Sequence, residues 1–270
     1  MLKPYHERSL AILQSNVSIA DKEVLELGAE PPYASARYML DQGARTVLAT
    51  NVRKDLSFDD DIPGLSIQFA DAQRLLEHLP EKSADVVFAT AFLEHVHDLD
   101  AMLDSVYNVL RPGGQALLAG APIWSSASGH HLYAHTSKGL VRFYDHHSPI
   151  KAFEHLLKEP EELRELIQQR GDYTPKDVEA ILHNVFTHPH TNRIDSRKIL
   201  DSFETSRLSI DRIILARSGT RRRFRRFVRT LIGRPSQRMR RENAVQEKLG
   251  YDVDPTIHGI TAILSRPAGS

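Results

Sequence analysis

The sequence predicts an α/β protein built on a doubly wound, mostly parallel sheet of seven strands. From residue 24 to about residue 120, short β-rich runs alternate with helical runs, which is typical of a parallel sheet covered by helices on both faces. Two further β-rich runs near the C-terminus bring the expected number of strands to seven. The strands are predicted at residues 24–27, 46–49, 66–69, 85–89, 115–119, 210–215 and 258–264.

Helices are predicted between the early strands, at residues 33–42, 73–78 and 98–110. The third helical run leads into Arg111-Pro112-Gly113-Gly114. Proline interrupts the helical hydrogen bonds and glycine permits a reversal, so we expect the helix to end at this turn.

The 270 residues, of which 41% are hydrophobic, are enough for one large domain or for a domain with an elaborate lid. No run of 18 apolar residues exists, which excludes a helical membrane span, and the first residues do not have the pattern of a secretion signal. The absence of cysteine excludes disulfides, thiolate metal sites and a cysteine nucleophile. We expect a cytoplasmic protein, with peripheral membrane contact left open.

Three segments are predicted. Residues 1–122 form the α/β core, and residues 123–194 form a helical insertion, the lid, with helices near 150–158, 161–170 and 175–186 and no clear strand. Residues 195–270 complete the sheet around a basic helical insertion at 217–250. Asp195-Ser196 is typical of a helix cap before residues 197–203.

Several short motifs follow the predicted strands in order. Glu26-Leu27-Gly28 ends the first strand, and LEHV at residues 93–96 follows the fourth. RPGG begins 15 residues after LEHV and leads into the fifth strand. This series resembles the class I S-adenosylmethionine-dependent methyltransferases, specifically the small-molecule, methyltransferase type 11-like branch typified by ubiquinone and menaquinone methylation enzymes. The resemblance is close over residues 20–122 and loose over the last two strands.

The resemblance implies a Rossmann-like fold, S-adenosyl-L-methionine as the cofactor and a cofactor site at the carboxyl ends of the strands. Glu26, Gly28 and Ala29 would lie beside the methionine part, where a carboxylate suits the cationic sulfonium and ammonium. Asn51 would meet the ribose in place of the family's acidic residue. The remaining positions that the resemblance implies are Asp71 and Ala72 at the adenine and Thr90 under the cofactor.

The loop after the first strand departs from the family pattern. It reads Glu26-Leu27-Gly28-Ala29-Glu30-Pro31-Pro32, whereas the family has Glu-x-Gly-x-Gly-x-Gly. S-adenosylmethionine has no phosphate, so the loop needs one close backbone approach and a turn rather than an anion-binding nest. The alternative is a methyltransferase fold that has lost its ligand and serves as a non-catalytic partner or scaffold protein. Asp71 could also act only as a helix cap near Gln73.

The loop at residues 125–135 is the predicted acceptor site, because it starts directly after the fifth strand. We predict His131, and second His130, as the base that removes a proton from a hydroxyl during methyl transfer. Tyr133, His146 and His147 are expected at the same mouth, although a plain surface loop is the alternative. No metal site is predicted: the histidines at 130, 131, 135, 146, 147, 188 and 190 have suitable gaps but no matching acidic residues.

The segment 188–193, with two histidines, an amide and an arginine, could either hold an anionic substrate or merely connect a loop to a helix. His95, in LEHV, is expected to be a structural turn residue.

Basic charge is concentrated in residues 217–241, which contain 11 arginines and no acidic residue, leaving 24 basic against 35 acidic residues elsewhere. An apolar stripe at helical spacing accompanies them. Either the stripe packs on the protein's own core, or the segment meets an anionic partner such as a membrane surface or a phosphate-bearing carrier. Nucleic acid is the least expected partner, and oligomerisation is left open. The stripe consists of Phe224, Phe227, Val228, Leu231 and Ile232.

The expected reaction is methyl transfer to a hydroxyl oxygen of a small or carrier-linked metabolite, an O-methylation. A sugar hydroxyl of a glycan or glycolipid precursor is the first choice, because the lid is polar and rich in histidine rather than lined by aromatic residues.

Overall fold

The computed structural model describes residues 1–53, 62–171, 173–218 and 237–269. The predicted seven-stranded sheet is confirmed, with the order β3-β2-β1-β4-β5-β9-β8. Its strands are β1 (Glu23–Leu27), β2 (Thr46–Asn51), β3 (Leu65–Phe69), β4 (Ala84–Ala89), β5 (Leu110–Gly120), β8 (Ser209–Arg217) and β9 (Ile257–Ser265). The α-helices are α1 (Pro4–Asn16), α2 (Ala34–Asp41), α3 (Leu99–Val109), α4 (Glu154–Leu157), α5 (Pro160–Gln169), α6 (Pro175–Leu182), α7 (Ser196–Thr205) and α8 (Gln237–Leu249).

The first five strands form four parallel pairs, β1 with β2 and β4, β2 with β3, and β4 with β5. Strand β1 lies at the centre of these pairs, and its residues 24–27 are buried on both faces, including the charged Glu26. Because the strands are parallel, the residues that follow β1, β2, β3 and β4 meet at one edge of the sheet.

Two connections differ from the sequence prediction. The run at 73–78 forms a 3₁₀ helix, Ala72–Glu77, which is kinked at Arg74, rather than an α-helix. The helix α3 ends at Val109 as expected, but RPGG lies within β5, where the register with β4 shifts. Gly113 has φ +79°, a left-handed conformation that glycine adopts without steric cost.

The N-terminal helix α1 was not predicted, because charged residues interrupt its short apolar run. Pro4 occupies its first turn, where a missing N–H costs nothing. Leu10 and Leu13 are buried in a core cluster that also contains Val24 and Val47 of the sheet. The core of this part of the chain therefore extends to the N-terminal helix.

The chain divides into two compact units: residues 1–120, 200–214 and 261–270, and residues 121–199 and 215–260. The second unit, which we call the insertion unit, contains the predicted lid. The division of the sequence into core, lid and basic insertion as functional segments stays a prediction.

The expectation that residues 121–194 lack a strand is wrong. β6 (Tyr133–Thr136) and β7 (Gly139–Arg142) form an antiparallel hairpin. Each strand has four residues and the loop is rich in serine and histidine, so no alternating apolar pattern stands out. The carboxylate of Asp177, in α6, holds the turn by accepting hydrogen bonds from the Ser137 N–H at 2.7 Å and from its hydroxyl at 2.6 Å.

The predicted lid helices are present with shorter bounds. The run at 150–158 reduces to the single turn α4, and α6 ends at Leu182, where a π-helical turn (His183–Thr187) continues it. The predicted cap before α7 is confirmed, because the Asp195 carboxylate accepts from the Lys198 N–H at 2.9 Å.

The predicted run at 238–249 corresponds to α8, but most of the arginine-rich segment, including Phe224, Phe227, Val228, Leu231 and Ile232, lies outside the described residues. Within the described ranges, no helix has the length and apolarity needed to cross a membrane.

Candidate functional site

Glu26 lies at the carboxyl end of β1 with only 3% of its surface exposed. Its Oε1 accepts a hydrogen bond from the Ser35 hydroxyl, whereas its Oε2 has no hydrogen-bond partner among the described residues. Burial raises the pKa of Glu26 to about 7, and the bond from Ser35 only partly offsets this. The site therefore holds a buried carboxyl group with one oxygen available to a cation or a donor.

Gly28 follows with φ +72°, a conformation that disfavours a side chain. A Cβ atom at this position would also lie 2.8 Å from Cδ2 of the Phe92 ring. Both the backbone and the close aromatic ring therefore require glycine here.

Asn51, at the end of β2, fixes the loop that lacks the family's further glycines. Its Nδ2 donates to the Ala29 carbonyl oxygen at 2.8 Å, and its Oδ1 accepts from the Arg53 N–H at 3.0 Å. The Ala29 N–H donates to the Thr50 carbonyl oxygen at 2.9 Å. Backbone and amide bonds thus hold this loop against β2, and they use both polar groups of the Asn51 side chain.

Asp71 caps the 3₁₀ helix that follows β3, since its Oδ1 accepts from the Gln73 N–H at 2.9 Å. Among the described residues, the hydrogen bonds to the Asp71 carboxylate use Oδ1 alone, so Oδ2 remains open to a ligand. Ala72, the next residue, is buried. The capping role considered from the sequence is present, and it is compatible with the predicted contact to adenine.

Thr90 lies after β4, and its hydroxyl is 2.7 Å from that of Ser9 in α1. Ser9 is buried and was not singled out from the sequence. The signal that could have found it is the apolar spacing of Leu10 and Leu13 beside it, which marks a helix that packs on the core.

A small cleft of about 70 Å³ opens between the ends of β1, β2 and β3. Ala29 and Asn51, two of the predicted cofactor residues, lie on its wall with apolar side chains of Tyr33, Ile67 and Phe69. Glu26, Gly28, Asp71, Ala72 and Thr90 are not among its lining residues, although they follow neighbouring strands at the same edge.

LEHV forms a single 3₁₀ turn, Leu93–His95. Glu94 is 1% exposed, and a Cβ atom on Gly120, at the end of β5, would lie 2.6 Å from its Oε2. The glycine therefore gives the Glu94 side chain room beside β5. The His95 side chain is 38% exposed.

Residues 32–118 match the family model described as a methyltransferase domain. This range contains β2 to β4, the LEHV turn and most of β5 with RPGG, whereas Glu26-Leu27-Gly28 precedes it. Residues 32–118 are therefore a class I S-adenosylmethionine-dependent methyltransferase domain of the type 11 branch. The resemblance recognised from the sequence is thereby confirmed.

Solved structures of methyltransferases have the same fold. An S-adenosylmethionine-dependent methyltransferase from Mesorhizobium loti is 13% identical, with coverage of 95% of this chain and 96% of the other and a TM-score of 0.52. Phosphoethanolamine N-methyltransferase 2 from Haemonchus contortus is 15% identical, with coverage of 97% and 52% and a TM-score of 0.52. At these identities the likeness is one of fold. No curated protein matches the sequence.

In the insertion unit of this methyltransferase, the predicted acceptor loop is tightly folded. Ser125 and Ser126 are fully buried, and a Cβ atom on Gly129 would collide with the carbonyl oxygens of Ile123 and Trp124. The sequence Ser-Gly-His-His therefore makes a turn that only glycine permits, and the two histidines follow it directly.

His130 is 2% exposed, and burial, followed by the neighbouring His155 and His131, lowers its pKa well below the ordinary value. Its Nδ1 accepts from the Leu132 N–H at 3.3 Å, so the neutral ring carries its proton on Nε2. His130 is therefore a neutral donor at Nε2.

His131 has φ +46°, and its ring packs against Phe143 with 4.8 Å between ring centroids. The two predicted bases thus differ in surroundings: His130 is enclosed, whereas His131 is half-buried.

A pocket of about 240 Å³, the insertion cavity, lies beside this loop. Its wall includes His130, His146 and Phe143, together with the buried Ser148, whose Oγ has no hydrogen-bond partner among the described residues. Lys151 is also part of the wall. Of the other residues expected at this mouth, His131, Tyr133 and His147 are not in the lining, but His131 contacts the lining residue Phe143.

The Arg193 side chain stabilises the loop that contains it rather than lining an open site. Its guanidinium donates to the backbone carbonyl oxygens of Val185 at 3.0 Å, Thr191 at 3.0 Å and His188 at 2.8 Å. Of the two roles considered for segment 188–193, these bonds favour the structural one for the arginine.

Proposed function

We propose that this methyltransferase transfers the methyl group of S-adenosylmethionine to a hydroxyl oxygen of a small or carrier-linked metabolite. The observation that carries the methyl-transfer part is the buried carboxyl of Glu26, whose Oε2 is available at the end of β1, the strand that precedes the matched methyltransferase domain at residues 32–118. A sulfonium cofactor supplies the positive charge that such a carboxylate needs in order to be stable when buried.

The cofactor-binding proposal assigns one chemical group to each neighbouring strand end. Glu26 would face the cationic methionine part, with the Gly28 backbone close to it and Ala29 beside it. The open Oδ2 of Asp71 would accept from the adenine amino group beside Ala72, and Thr90 would lie under the ligand. Asn51 would act mainly by holding Ala29 in place, because both of its polar groups already bond to backbone.

The acceptor is proposed to bind at the insertion cavity. In the transfer, the acceptor oxygen would attack the methyl carbon while the carbon–sulfur bond breaks. The electron pair of that bond would stay on sulfur, which would become a neutral thioether. The hydroxyl proton must then leave. His130 fits a hydrogen-bond donor to the acceptor, and His131 remains our first candidate for the base. The polar wall with Ser148 and Lys151 supports a hydroxyl-rich acceptor, such as a sugar in a glycan or glycolipid precursor.

Nitrogen acceptors belong in the same screen, because one structure of this fold is a phosphoethanolamine N-methyltransferase. The test begins with mass spectrometry of small molecules that co-purify with the protein, followed by transfer of labelled methyl from S-adenosylmethionine to each compound. Label recovered as a methyl ether supports the proposal, and label found only on nitrogen would overturn the oxygen assignment.

Once an acceptor is identified, His131→Ala should lower turnover by roughly 10²- to 10⁴-fold if this side chain is the base, while cofactor affinity stays unchanged. The wild-type rate should rise with pH through the histidine range, and the variant should lose this dependence. His130→Ala should instead raise the Michaelis constant. If both variants keep wild-type rates, positioning alone accounts for the reaction.

A non-catalytic partner or scaffold role is the second candidate. It is favoured by the Phe92 ring beside Gly28 and by the full use of the Asn51 side chain, since both occupy positions where the family binds its cofactor. Calorimetric titration separates the two candidates, because a scaffold would not bind S-adenosylmethionine at millimolar concentration.

The proposed setting is the cytoplasm. The arginine-rich segment 217–241 would meet an anionic membrane surface or a phosphate-bearing carrier, which suits a carrier-linked acceptor.

A further inference from the structure

The loop after α6 brings two imidazoles together in the insertion unit. The side chains of His188 and His190 face each other with 3.0 Å between their Nδ1 atoms. The Arg193 guanidinium stabilises this loop by donating hydrogen bonds to three backbone carbonyl oxygens, including that of His188. The His188 N–H also donates to the carbonyl oxygen of His183 at 2.7 Å, across the π-helical turn. The pair therefore rests on a well-bonded loop rather than on two independent surface side chains.

The partners of these rings determine where their protons lie. His190 Nε2 is 3.1 Å from the carbonyl oxygen of His131, and a carbonyl can only accept, so Nε2 carries the proton. His188 Nδ1 accepts from the His190 backbone N–H at 3.2 Å, so this nitrogen carries a lone pair. In the neutral rings, both Nδ1 atoms then present lone pairs to each other at 3.0 Å, an arrangement that is repulsive unless a cation lies between them.

We propose that His188 and His190 bind one divalent transition-metal ion, of the Zn²⁺ class, through their Nδ1 atoms. At metal–nitrogen distances of about 2.0–2.1 Å and angles of 90–110°, neighbouring ligand nitrogens are separated by about 2.9–3.4 Å, which includes the separation seen here. The hydrogen bond from His190 Nε2 to the His131 carbonyl oxygen is the kind of outer contact that fixes the tautomer and orientation of a metal-binding histidine. Water completes the coordination.

A shared proton is the competing explanation. It requires one ring to be an imidazolium, whose second proton would lie between the two Nδ1 atoms. A metal ion needs both Nδ1 atoms unprotonated, so protons compete with it for the pair. The two explanations therefore predict opposite effects of raising the pH.

The test is calorimetric titration of the chelator-treated full chain with zinc chloride at pH 7.5 and at pH 5.5. We expect one ion per chain at pH 7.5 and no measurable uptake at pH 5.5. His188→Ala and His190→Gln should each weaken binding by at least about tenfold, since each removes one of two protein ligands. His190→Gln keeps an amide that can donate to the His131 carbonyl oxygen, so it guards against a loss caused by loop disorder.

His147→Ala is the matched control, because it removes an exposed histidine of the same unit outside the pair. Its zinc affinity should equal that of the wild type, and circular dichroism should be the same for all metal-free variants. Cobalt substitution should add a visible absorption band that His188→Ala abolishes.

Three outcomes would overturn the metal site: no uptake at pH 7.5, uptake that survives in the His188→Ala/His190→Gln double variant, or an NMR signal of a nitrogen-to-nitrogen shared proton in protein that takes up no zinc. None of these readouts depends on methyl transfer, so the inference stands or fails independently of the proposed function.

Discussion

Glu26 places an ionisable group in the core of the cofactor region, and its environment opposes ionisation. Burial raises the pKa of Glu26 to about 7 from an ordinary value near 4.5. A group whose pKa is raised on folding contributes its full stability below the unfolded pKa and loses it as pH rises through the folded pKa. The unliganded protein should therefore lose stability between about pH 5 and pH 8.

Glu26→Gln should remove this dependence, because the amide has no proton to lose. We expect the melting temperature of the unliganded variant to stay level across this range while that of the wild type falls, as measured by scanning calorimetry without ligand. An unchanged slope in the variant would mean that another group titrates.

The same carboxyl should couple cofactor binding to pH. A cationic ligand favours the ionised form, so S-adenosylmethionine should bind more tightly as pH rises from 6 to 8 and should displace a proton near pH 7. Titrations in buffers of different ionisation enthalpy measure that proton. Glu26→Gln should bind more weakly and release none, whereas proton release that persists in the variant would contradict this coupling.

At Gly28, strain and steric conflict act together. Gly28→Ala should destabilise the fold by about 1–2 kcal/mol from the left-handed backbone alone, with a further cost from the Phe92 ring. Denaturant unfolding should show that Gly28→Ala costs less free energy of unfolding in a Phe92→Ala background than in the wild type. The steric part of the cost is then gone, and only the backbone part remains. Additive effects would mean that the ring moves aside at no cost.

Sequence reasoning about single residues succeeded where the side chain has one physical task. Gly28 and the Asp195 cap could be read from the chain because a tight turn and a helix start each demand particular residues. The role of Asn51 could not, since its partner Ala29 becomes a neighbour only when β1 and β2 pair. The histidine pair was visible as a spacing, but its facing nitrogens depend on the loop that Arg193 holds.

At the scale of elements, the β6–β7 hairpin depends on one carboxylate. Asp177 is buried and accepts from both Ser137 and Thr174, and the hydrogen bonds from Ser137 are the main reason that its pKa lies well below the ordinary range. A lowered pKa gives stability that is present above the unfolded pKa near 3.8 and is lost as pH falls through the folded value.

Asp177→Ala should lower the melting temperature and increase amide hydrogen exchange in residues 133–142, because the turn loses its acceptor. Glu165→Ala, an exposed acidic residue on α5, is the control and should change neither. If exchange in the hairpin stays at the wild-type level in Asp177→Ala, the strands are held by their own pairing.

The alternation of β-rich and helical runs predicted the strands of the sheet well, because buried parallel strands need continuous apolar sequence. It failed for α1 and for the hairpin. In α1 only one face is buried, so charges interrupt the apolar run, and in the hairpin four-residue strands carry no measurable periodicity. Both elements are stabilised by contacts distant in the sequence, which a local pattern does not contain.

For the molecule as a whole, ligand binding should be visible as thermal stabilisation. A ligand at about 100 times its dissociation constant adds about 2.7 kcal/mol to the folded state. S-adenosylmethionine and its demethylated product should both raise the melting temperature, and Asp71→Ala should reduce the shift, because adenine loses a charged acceptor. If neither ligand shifts the transition or gives calorimetric heat at millimolar concentration, the chain keeps the methyltransferase fold without its chemistry.

The position of β9 in the sheet has a consequence for how the chain assembles. β9 comes last in the sequence, yet it lies between β5 and β8, and β8 is the edge strand. Strands β1 to β5 can pair as they emerge from the ribosome, but β8 has no neighbour to join until residues 257–265 arrive. During synthesis, the backbone N–H and C=O groups of β8 would remain without strand partners until then. We expect chaperones to bind mainly in this period. β8 therefore joins the sheet only after β9 has been synthesised.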